Sequence, residues 1–581
     1  MKAAAHGGTA DVLAAGRGAS IVARDATRAA MLGLGVGALL LFIGYPLCWL
    51  LFGALGLPAQ FSLTFLARAF TQPGNVAALA NTAMLALGVG VLSVVLGVPV
   101  AWATARTDLP MRKVFHGLVG LAYILPPYLT SIAYIILLGP NAGYFNRLIA
   151  WAGVHGSPLD IFSAAGVTFV IAMHVYAIPY FLAYGALQSV DPSLEESARM
   201  LGARRWTMLF RITLPLIAPA ISGGALLAAI NSIALFGPQA FLGLPAQIVY
   251  LPTRIYGALG AYPPRFADAS ALSIVLVLVT VIGLFVQRRY LGRRSFVTVA
   301  GRGVRPALHA LGALRWPLAL VVLVVVGLSS IAPLAVLVAA AFSKVWTDAL
   351  TLNNLTLANF SAALVDNQIA ARGIVNSFKL AIAAATLAVL IGVAIAYLDV
   401  RTRLRGGRLL DYLAILPLGL PGTVLAVALL QAFIRFPVAI YGTVWILLIA
   451  YVVRSMPIAV RGANGALRQV DASLEEAARI AGASWLTTIR RILLPIMRSN
   501  LMLAWLLVFI PALGELSATI LLYTNGTETI SVAIFRLSDV GQLEVVAALS
   551  TVLIAVILLA TLLTQWLAGR SRTALSAEAT V

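Results

Sequence analysis

The carboxylates of this chain that recur in a fixed pattern are the first candidates for function. Asp191-Pro-Ser-Leu-Glu195-Glu196-Ser-Ala-Arg-Met-Leu-Gly202 continues through Arg204, Arg205 and Trp206 to Arg211-Ile-Thr-Leu-Pro215. The pattern returns 280 positions later as Asp471-Ala-Ser-Leu-Glu475-Glu476-Ala-Ala-Arg-Ile-Ala-Gly482, closing on Arg491-Ile-Leu-Leu-Pro495. The chemistry this spacing offers is non-covalent. Ser193 with Glu196, and Ser473 with Glu476, have capping-box spacing and predict a short helix start. The acids favour the positive end of that helix, and Arg199 sits toward the other end. Gly202 and Gly482 follow about two turns later, where a residue free to adopt positive φ ends a helix and turns the chain. A second short helix is then expected until Pro215 or Pro495 introduces the next apolar segment. Leu194, Ala198 and Leu201 repeat at helical spacing, so a helix in a polar insert carries an apolar face that needs a partner. The two copies are identical at about half of their aligned positions. A helix lying on lipid headgroups would require only the polarity pattern.

Other reactive groups are sparse. Cys48 is the single cysteine, which excludes a disulfide framework and a cysteine metal site. A phosphate-cradling G-x-x-x-x-G-K-[S/T] loop needs lysine after glycine, and Lys2, Lys113, Lys344 and Lys379 follow Met, Arg, Ser and Phe. No such ATP site exists here, and no catalytic residue is assigned. Polar groups inside apolar segments are costly in lipid and face a cavity or another helix. Asn231 and Ser232, near the Gly237-Pro238 break, and Glu515, Ser517 and Thr519, after Pro511 and Gly514, are the candidates for a translocation pathway. Glu515 stands opposite Leu235, so one half alone supplies an acid. His174, Tyr176 and Arg454 are weaker candidates, and no Asp, Glu or Tyr cluster suits a hard metal ion.

The elements that must position these residues are membrane spans. At 61% hydrophobic and 10% charged residues, with mean hydropathy +0.98, the chain is far too apolar for a soluble globule. Segments of about 20 apolar residues lie near 31–57, 77–104, 114–139, 164–188, 217–238 and 269–287. Six more lie near 316–342, 374–400, 410–434, 441–462, 500–523 and 544–568, with kinks or breaks expected around Pro179 and Pro457. The first run is too long for a cleaved leader and reads as a retained span. Placing both termini in the cytoplasm keeps clusters such as Arg288-Arg289, Arg293-Arg294 and Arg401-Thr-Arg-Leu-Arg405 inside. This bias absorbs most of the net charge of +20, leaving no case for nucleic acid. The outer loops near 58–76, 140–163, 239–268 and 343–373 carry Trp151, Tyr262, Pro263, Pro264 and Trp346.

The early spans also repeat, Asn81-Thr-Ala-Met-Leu85 against Asn376-Ser-Phe-Lys-Leu380, with Gly97, Trp102 and Arg106 opposite Gly392, Tyr397 and Arg401. Each half holds an even number of spans, so the repeats run parallel about an axis along the membrane normal. The expected organisation is a cytoplasmic tail 1–30 and a first half 31–287 with its core at 77–287. A basic cytoplasmic linker 288–315 leads to a second half 316–568, core 374–568, and a cytoplasmic tail 569–581. An ion-coupled secondary transporter, the rival class, would place acid or sodium sites in both halves and often inverts its repeats.

Glu196-Ser-Ala198, Gly202 and Ile212-Thr-Leu-Pro215, with Glu476-Ala-Ala478, Gly482 and Ile492-Leu-Leu-Pro495, resemble the EAA motif of the membrane subunits of bacterial ATP-binding cassette importers. The likeness spans most of the chain from Asn81, and Ser197 is a mild departure. It implies an all-α, polytopic fold of about twelve transmembrane helices in two parallel six-helix repeats, the type I importer permease fold, in a bacterial inner membrane. It also implies that Glu195, Glu196, Ala198, Gly202 and Pro215, with Glu475, Glu476, Ala478, Gly482 and Pro495, couple to two copies of a cytoplasmic ATP-binding subunit. ATP and magnesium would belong to those subunits, and an extracytoplasmic binding protein would deliver solute. A permease with fused halves most resembles the ferric-iron type, with 2-aminoethylphosphonate, thiamine and polyamine permeases as alternatives.

Overall fold

The computed structural model describes residues 39–57, 60–154, 156–292, 308–348, 351–401, 413–434 and 438–578, together with 33, 36 and 37. The expected tail 1–30, most of the linker and the arginines at 403 and 405 lie outside the described residues.

Among the described residues the chain is almost wholly helical. We number the helices used below as α1 (Leu40–Ala54), α2 (Pro73–Arg106), α3 (Arg112–Ile124), α4 (Pro127–Leu138), α5 (Ala164–Ser189), α6 (Pro192–Met200), α7 (Leu209–Ala234) and α8 (Phe266–Gly292). The second half contains α9 (Gly312–Ala341), α10 (Gln368–Arg401), α11 (Leu413–Gly419), α12 (Gly422–Phe433), α13 (Val444–Arg468), α14 (Ser473–Ile480), α15 (Trp485–Leu513) and α16 (Leu543–Glu578). Among the described residues nine helices are long and apolar enough to cross a bilayer, and two bent pairs raise this to eleven. The shorter α1 falls in the first predicted span.

The bends differ from expectation. Pro457 sits inside a continuous α13, whereas α5 is interrupted at Tyr176, where Pro179 cannot donate to the Val175 carbonyl. The sharp turns are at Pro126-Pro127, where α3 and α4 meet at 102°, and at Pro421, where α11 and α12 meet at 120°. Residues before proline leave the helical region, and Leu125 and Leu420 do so at ψ 135° and 119°.

Each half is built on three packed helices, α2 with α5 and α7, and α10 with α13 and α15. Small residues allow the close crossings. A Cβ on Gly97 would lie 2.6 Å from the Tyr176 carbonyl oxygen, and one on its counterpart Gly392 would lie 2.8 Å from the Ala459 carbonyl carbon. The first span of each half crosses to the other. α1 packs against α8 and α12, and α9 packs against α3 and α4. Tyr134 donates to the Leu328 carbonyl at 2.8 Å and Ser330 to the Leu118 carbonyl at 2.7 Å. These bonds tie the halves because an unpaired hydroxyl in hydrocarbon is costly.

The expected stop at Pro215 and Pro495 is corrected. The short helices Arg205–Met208 and Trp485–Thr488 run through a single π-helical turn directly into the long helices. Leu214 N–H reaches the Leu209 carbonyl, and Leu494 N–H the Ile489 carbonyl. Proline has no N–H and its ring would strike the carbonyl four residues back, and a wider turn avoids both problems. The spans therefore start earlier and end earlier, at Ala234 and Leu513, than the predicted 217–238 and 500–523.

Because the neighbour at Gly392 is backbone, Gly392→Val should separate α10 from α13 and lower the thermal midpoint of the purified protein by several degrees. Val at the exposed Gly185, whose Cβ would have nothing within 4 Å, should change it far less.

Candidate functional site

The repeated inserts form two short surface helices built alike. The expected capping boxes do not form. The caps come from two residues earlier, where Asp191 and Asp471 each accept the amide of Ser193 or Ser473 at 2.9 Å. Both aspartates are held below the ordinary carboxylate range, chiefly by that bond to the backbone amide. At the other end Gly202 and Gly482 share φ +81°. Ala203 N–H returns to the Ala198 carbonyl at 3.0 Å and Ala483 N–H to that of Ala478 at 2.9 Å. This is the glycine-terminated closure in which left-handed φ lets a following amide satisfy a late carbonyl. Nothing lies within 4 Å of either glycine's Cβ direction, so conformation and not space requires glycine.

Of the paired glutamates, Glu195 and Glu475 turn inward, while Glu196 and Glu476 are exposed. Glu195 is 2% exposed. Its Oε1 accepts from Thr213 at 2.8 Å and lies 4.0 Å from the Arg106 guanidinium at the end of α2. Its Oε2 is 3.2 Å from His309 Nε2. The His309 contact is the largest influence holding this carboxyl down to about 2, helped by Thr213 and Arg106 against the opposing cost of burial. Glu475 is held by Arg401 at the end of α10, Nε to Oε1 at 2.7 Å, and by the Tyr397 hydroxyl at 3.2 Å. The hydroxyl comes from α10 in one half and from the π-turn in the other, because Trp102 stands opposite Tyr397 and Leu493 opposite Thr213. Arg106 also donates to the Val190 carbonyl at 3.1 Å, and Arg401 to that of Val470. Each arginine thus clamps both its glutamate and the segment leading into the surface helix.

His309 belongs to the linker. Its N–H donates to the Arg106 carbonyl at 2.8 Å, its carbonyl accepts from Asp108 N–H at 3.2 Å, and Asp108 accepts from Leu311 N–H at 2.9 Å. The end of the linker is therefore stitched beside the first surface helix only. No pattern in the sequence marked His309, and Arg106 and Arg401 stood out only as repeat positions.

The outward tips are apolar. Met200, Leu201 and Ile480 are 83–88% exposed, and Leu194 and Leu474 are about half exposed. Ala198 and Ala478 face inward at the base. The expected apolar face is thus divided, with Ala198 turned in and Leu201 turned out.

Of the pathway candidates, the Glu515–Thr519 segment lies at the seam between halves. Glu515, 7% exposed, accepts from the amides of Ala518 and Thr519 and from the Thr519 hydroxyl at 2.9–3.2 Å. Arg454 Nε lies 3.7 Å from its Oε1. Tyr451 and Thr519 share a hydroxyl contact of 2.8 Å. The buried Tyr128 hydroxyl and Thr423 Oγ1 lack hydrogen-bond partners among the described residues. They occupy equivalent positions, immediately after the breaks at Pro126-Pro127 and Pro421, and sequence reading missed both. Close approaches seal the region. A Cβ on Gly514 would meet Pro126 at 2.8 Å, and one on Gly237 would meet Tyr128 at 2.6 Å. Ser517 is buried beside Gly422. Asn231 is half-buried, and Ser232 donates back to Ala229 at 2.7 Å while its carbonyl accepts from Gln239. His174 is a packed helix contact, 3.1 Å from the Ala122 carbonyl and stacked on Tyr123. Tyr176 meets Ser329 of α9 at 2.8 Å. Among the described residues no group of three or more His, Cys, Asp or Glu is placed to hold a metal.

Two parallel helical halves carrying matched surface helices and a polar seam define a membrane permease. The chain belongs to the family described as binding-protein-dependent transport system inner membrane component, which matches residues 93–297 and 388–573. It is a permease subunit of an ATP-binding cassette importer, a transport component and not an enzyme. It is 29% identical over 512 residues to the ferric transport system permease protein FbpB of Actinobacillus pleuropneumoniae, covering 87% of this chain and 73% of that one. A Haemophilus influenzae relative designated FbpB 1 is 30% identical over 471 residues, 79% of this chain and 72% of its own. The molybdenum transport system permease protein ModB of Escherichia coli is 28% identical over 209 residues, 35% of this chain and 89% of that one. The last match has the length of a single half.

The anchoring carboxylates can be tested directly. Glu475→Gln should loosen α14 by about 1–3 kcal/mol, the usual worth of hydrogen bonds to a charged group, read as faster amide exchange over 473–480. For Glu195 the folded carboxyl lies below its unfolded value, so its anchoring is full above the ordinary glutamate range near 4.5 and is lost as pH falls toward about 2. Amide protection of 192–200 should be flat between pH 5 and 8, and His309→Ala should shift its acid loss to higher pH.

Proposed function

We propose that this chain forms the translocation pathway of a ferric-iron importer, driven by two cytoplasmic ATPase subunits that dock on α6 and α14. The observation that carries this reading is the pair of equivalent surface helices, each tied inward by Glu195 or Glu475 and presenting an exposed apolar tip. The iron assignment is supported by likeness to FbpB relatives over most of the chain. ATP and magnesium are held by the partner subunits, and both termini face the cytoplasm, a reading supported by the distribution of Lys and Arg.

Within the inserts the two glutamates divide the work. Glu196 and Glu476, with Met200, Leu201 and Ile480, meet the ATPase. Glu195 and Glu475, with Ala198 and Ala478, transmit its motion, Gly202 and Gly482 set the turn, and Pro215 and Pro495 shape the π-turns into α7 and α15. Closure of the ATPases draws α6 and α14 together. The arginine clamps make α2 and α10 follow, and the seam at Tyr128, Gly237, Thr423 and Gly514 opens outward. Asn231, Ser232, Glu515, Ser517 and Thr519 are exposed to solute in that state, and reset releases it inward. On the outer face Trp151 and Tyr262, 87% and fully exposed, receive the binding protein that supplies iron.

Met200→Glu with Ile480→Glu should abolish ATPase association in pull-down and reduce ferric uptake at least tenfold, with normal membrane insertion. Retained association would overturn the docking assignment. Glu515→Gln should impair uptake while ATPase association persists, and unchanged uptake would remove Glu515 from the pathway.

A further inference from the structure

Beside α6 lies a cleft that the transport cycle leaves unused. It encloses about 220 Å³ between the end of α2, the start of α3 and the end of α5, lined by Thr104, Arg112, Lys113, His116, Tyr184 and Gln188. Three basic side chains from the first turns of α3 thus converge with polar groups of two other helices. Among the described residues neither Arg112 nor Lys113 forms an ion pair. The nearby acids are already engaged: Asp108 with Leu311 N–H, Asp191 with Ser193 N–H, and Glu195 with Thr213.

His116 is held in place. Its Nδ1 lies 2.9 Å from the Tyr180 hydroxyl, which is 3.0 Å from Thr104, and its ring packs on Tyr184 at 4.5 Å. Thr104 gives its own proton to the Val100 carbonyl at 2.8 Å. Tyr180 therefore donates to Thr104 and accepts from Nδ1, so the second ring nitrogen can donate to an anion when the imidazole is charged.

We infer that this cleft binds a phosphate group, supplied by the headgroup of an anionic phospholipid. A phosphate offers acceptors to Arg112 and Lys113 together, and to His116 when its ring is charged, and basic pockets between helices on the cytoplasmic side take such headgroups. A lipid is favoured over soluble phosphate because Phe181, one turn deeper on α5 and packed edge-on against His116, is 39% exposed and continues the cleft into an apolar surface suited to acyl chains. That choice rests on the orientation proposed above. Gln188 lies three residues before Asp191, so the bound headgroup braces the base of the first surface helix.

The test uses the purified full-length chain in nanodiscs of phosphatidylethanolamine with a minor fraction of phosphatidylglycerol, and native mass spectrometry of the retained lipid. Neutralising two basic residues near the surface weakens binding by roughly thirty-fold, so R112Q/K113Q should lose phosphatidylglycerol, while R112K/K113R and Arg68→Gln on the opposite face should keep it. Undiminished retention in R112Q/K113Q overturns the site. A parallel titration with inorganic phosphate separates the sources: phosphate binding lost in R112Q/K113Q with lipid retention unchanged overturns the lipid assignment. Orientation is read independently, from impermeant maleimide labelling of Lys113→Cys in a Cys48→Ser background. Labelling only from the outside overturns the orientation and the cytoplasmic leaflet with it, whatever the ATPase pull-downs give.

Discussion

The clamp between a glutamate on each surface helix and an arginine closing the first core helix is the interaction on which the rest depends. α6 and α14 are too short to persist alone, since helices well under about 12 residues are marginal in water. They hold their shape because Asp191 and Asp471 cap one end, glycine closes the other, and Glu195 and Glu475 fasten the middle to α2 and α10. An ion pair shielded from water is stronger than one in bulk solvent, which suits the coupling role proposed for these helices.

The two clamps are not copies. Arg401 reaches Glu475 at 2.7 Å, while Arg106 stands 4.0 Å from Glu195 and His309 fills the gap from the linker. Fusion of the halves in one chain therefore has a structural trace, because among the described residues the connecting segment takes part in one of two otherwise equivalent sites. The seam is asymmetric too. A carboxylate paired with Arg454 comes from the second half, and a buried phenol, Tyr128, comes from the first. Crossing of α1 and α9 to the opposite halves packs the two halves together.

Much of this was legible in the sequence. The spans were countable because a bilayer demands long apolar runs, and the twin inserts were visible because polar residues stand out between them. Capping was misplaced by two residues, since Asp and Ser at neighbouring positions both have the chemistry and only backbone geometry selects between them. The sharp turns went to Pro126-Pro127 and Pro421, although Pro457 looked equivalent, because packing and not proline alone decides whether a helix bends.

The sequence by itself determined that this is an apolar, twice-repeated helical chain bearing two motifs of one kind, because hydropathy and local spacing are properties of neighbouring residues. Tertiary structure alone decided which glutamate of each pair faces in, that His309 completes one clamp, and that the breaks at Tyr128 and Gly422 close against the segment around Glu515. Those outcomes depend on contacts between residues far apart in the chain, such as Arg401 with Glu475 and His309 with Glu195, and no local pattern records which helix face will be covered.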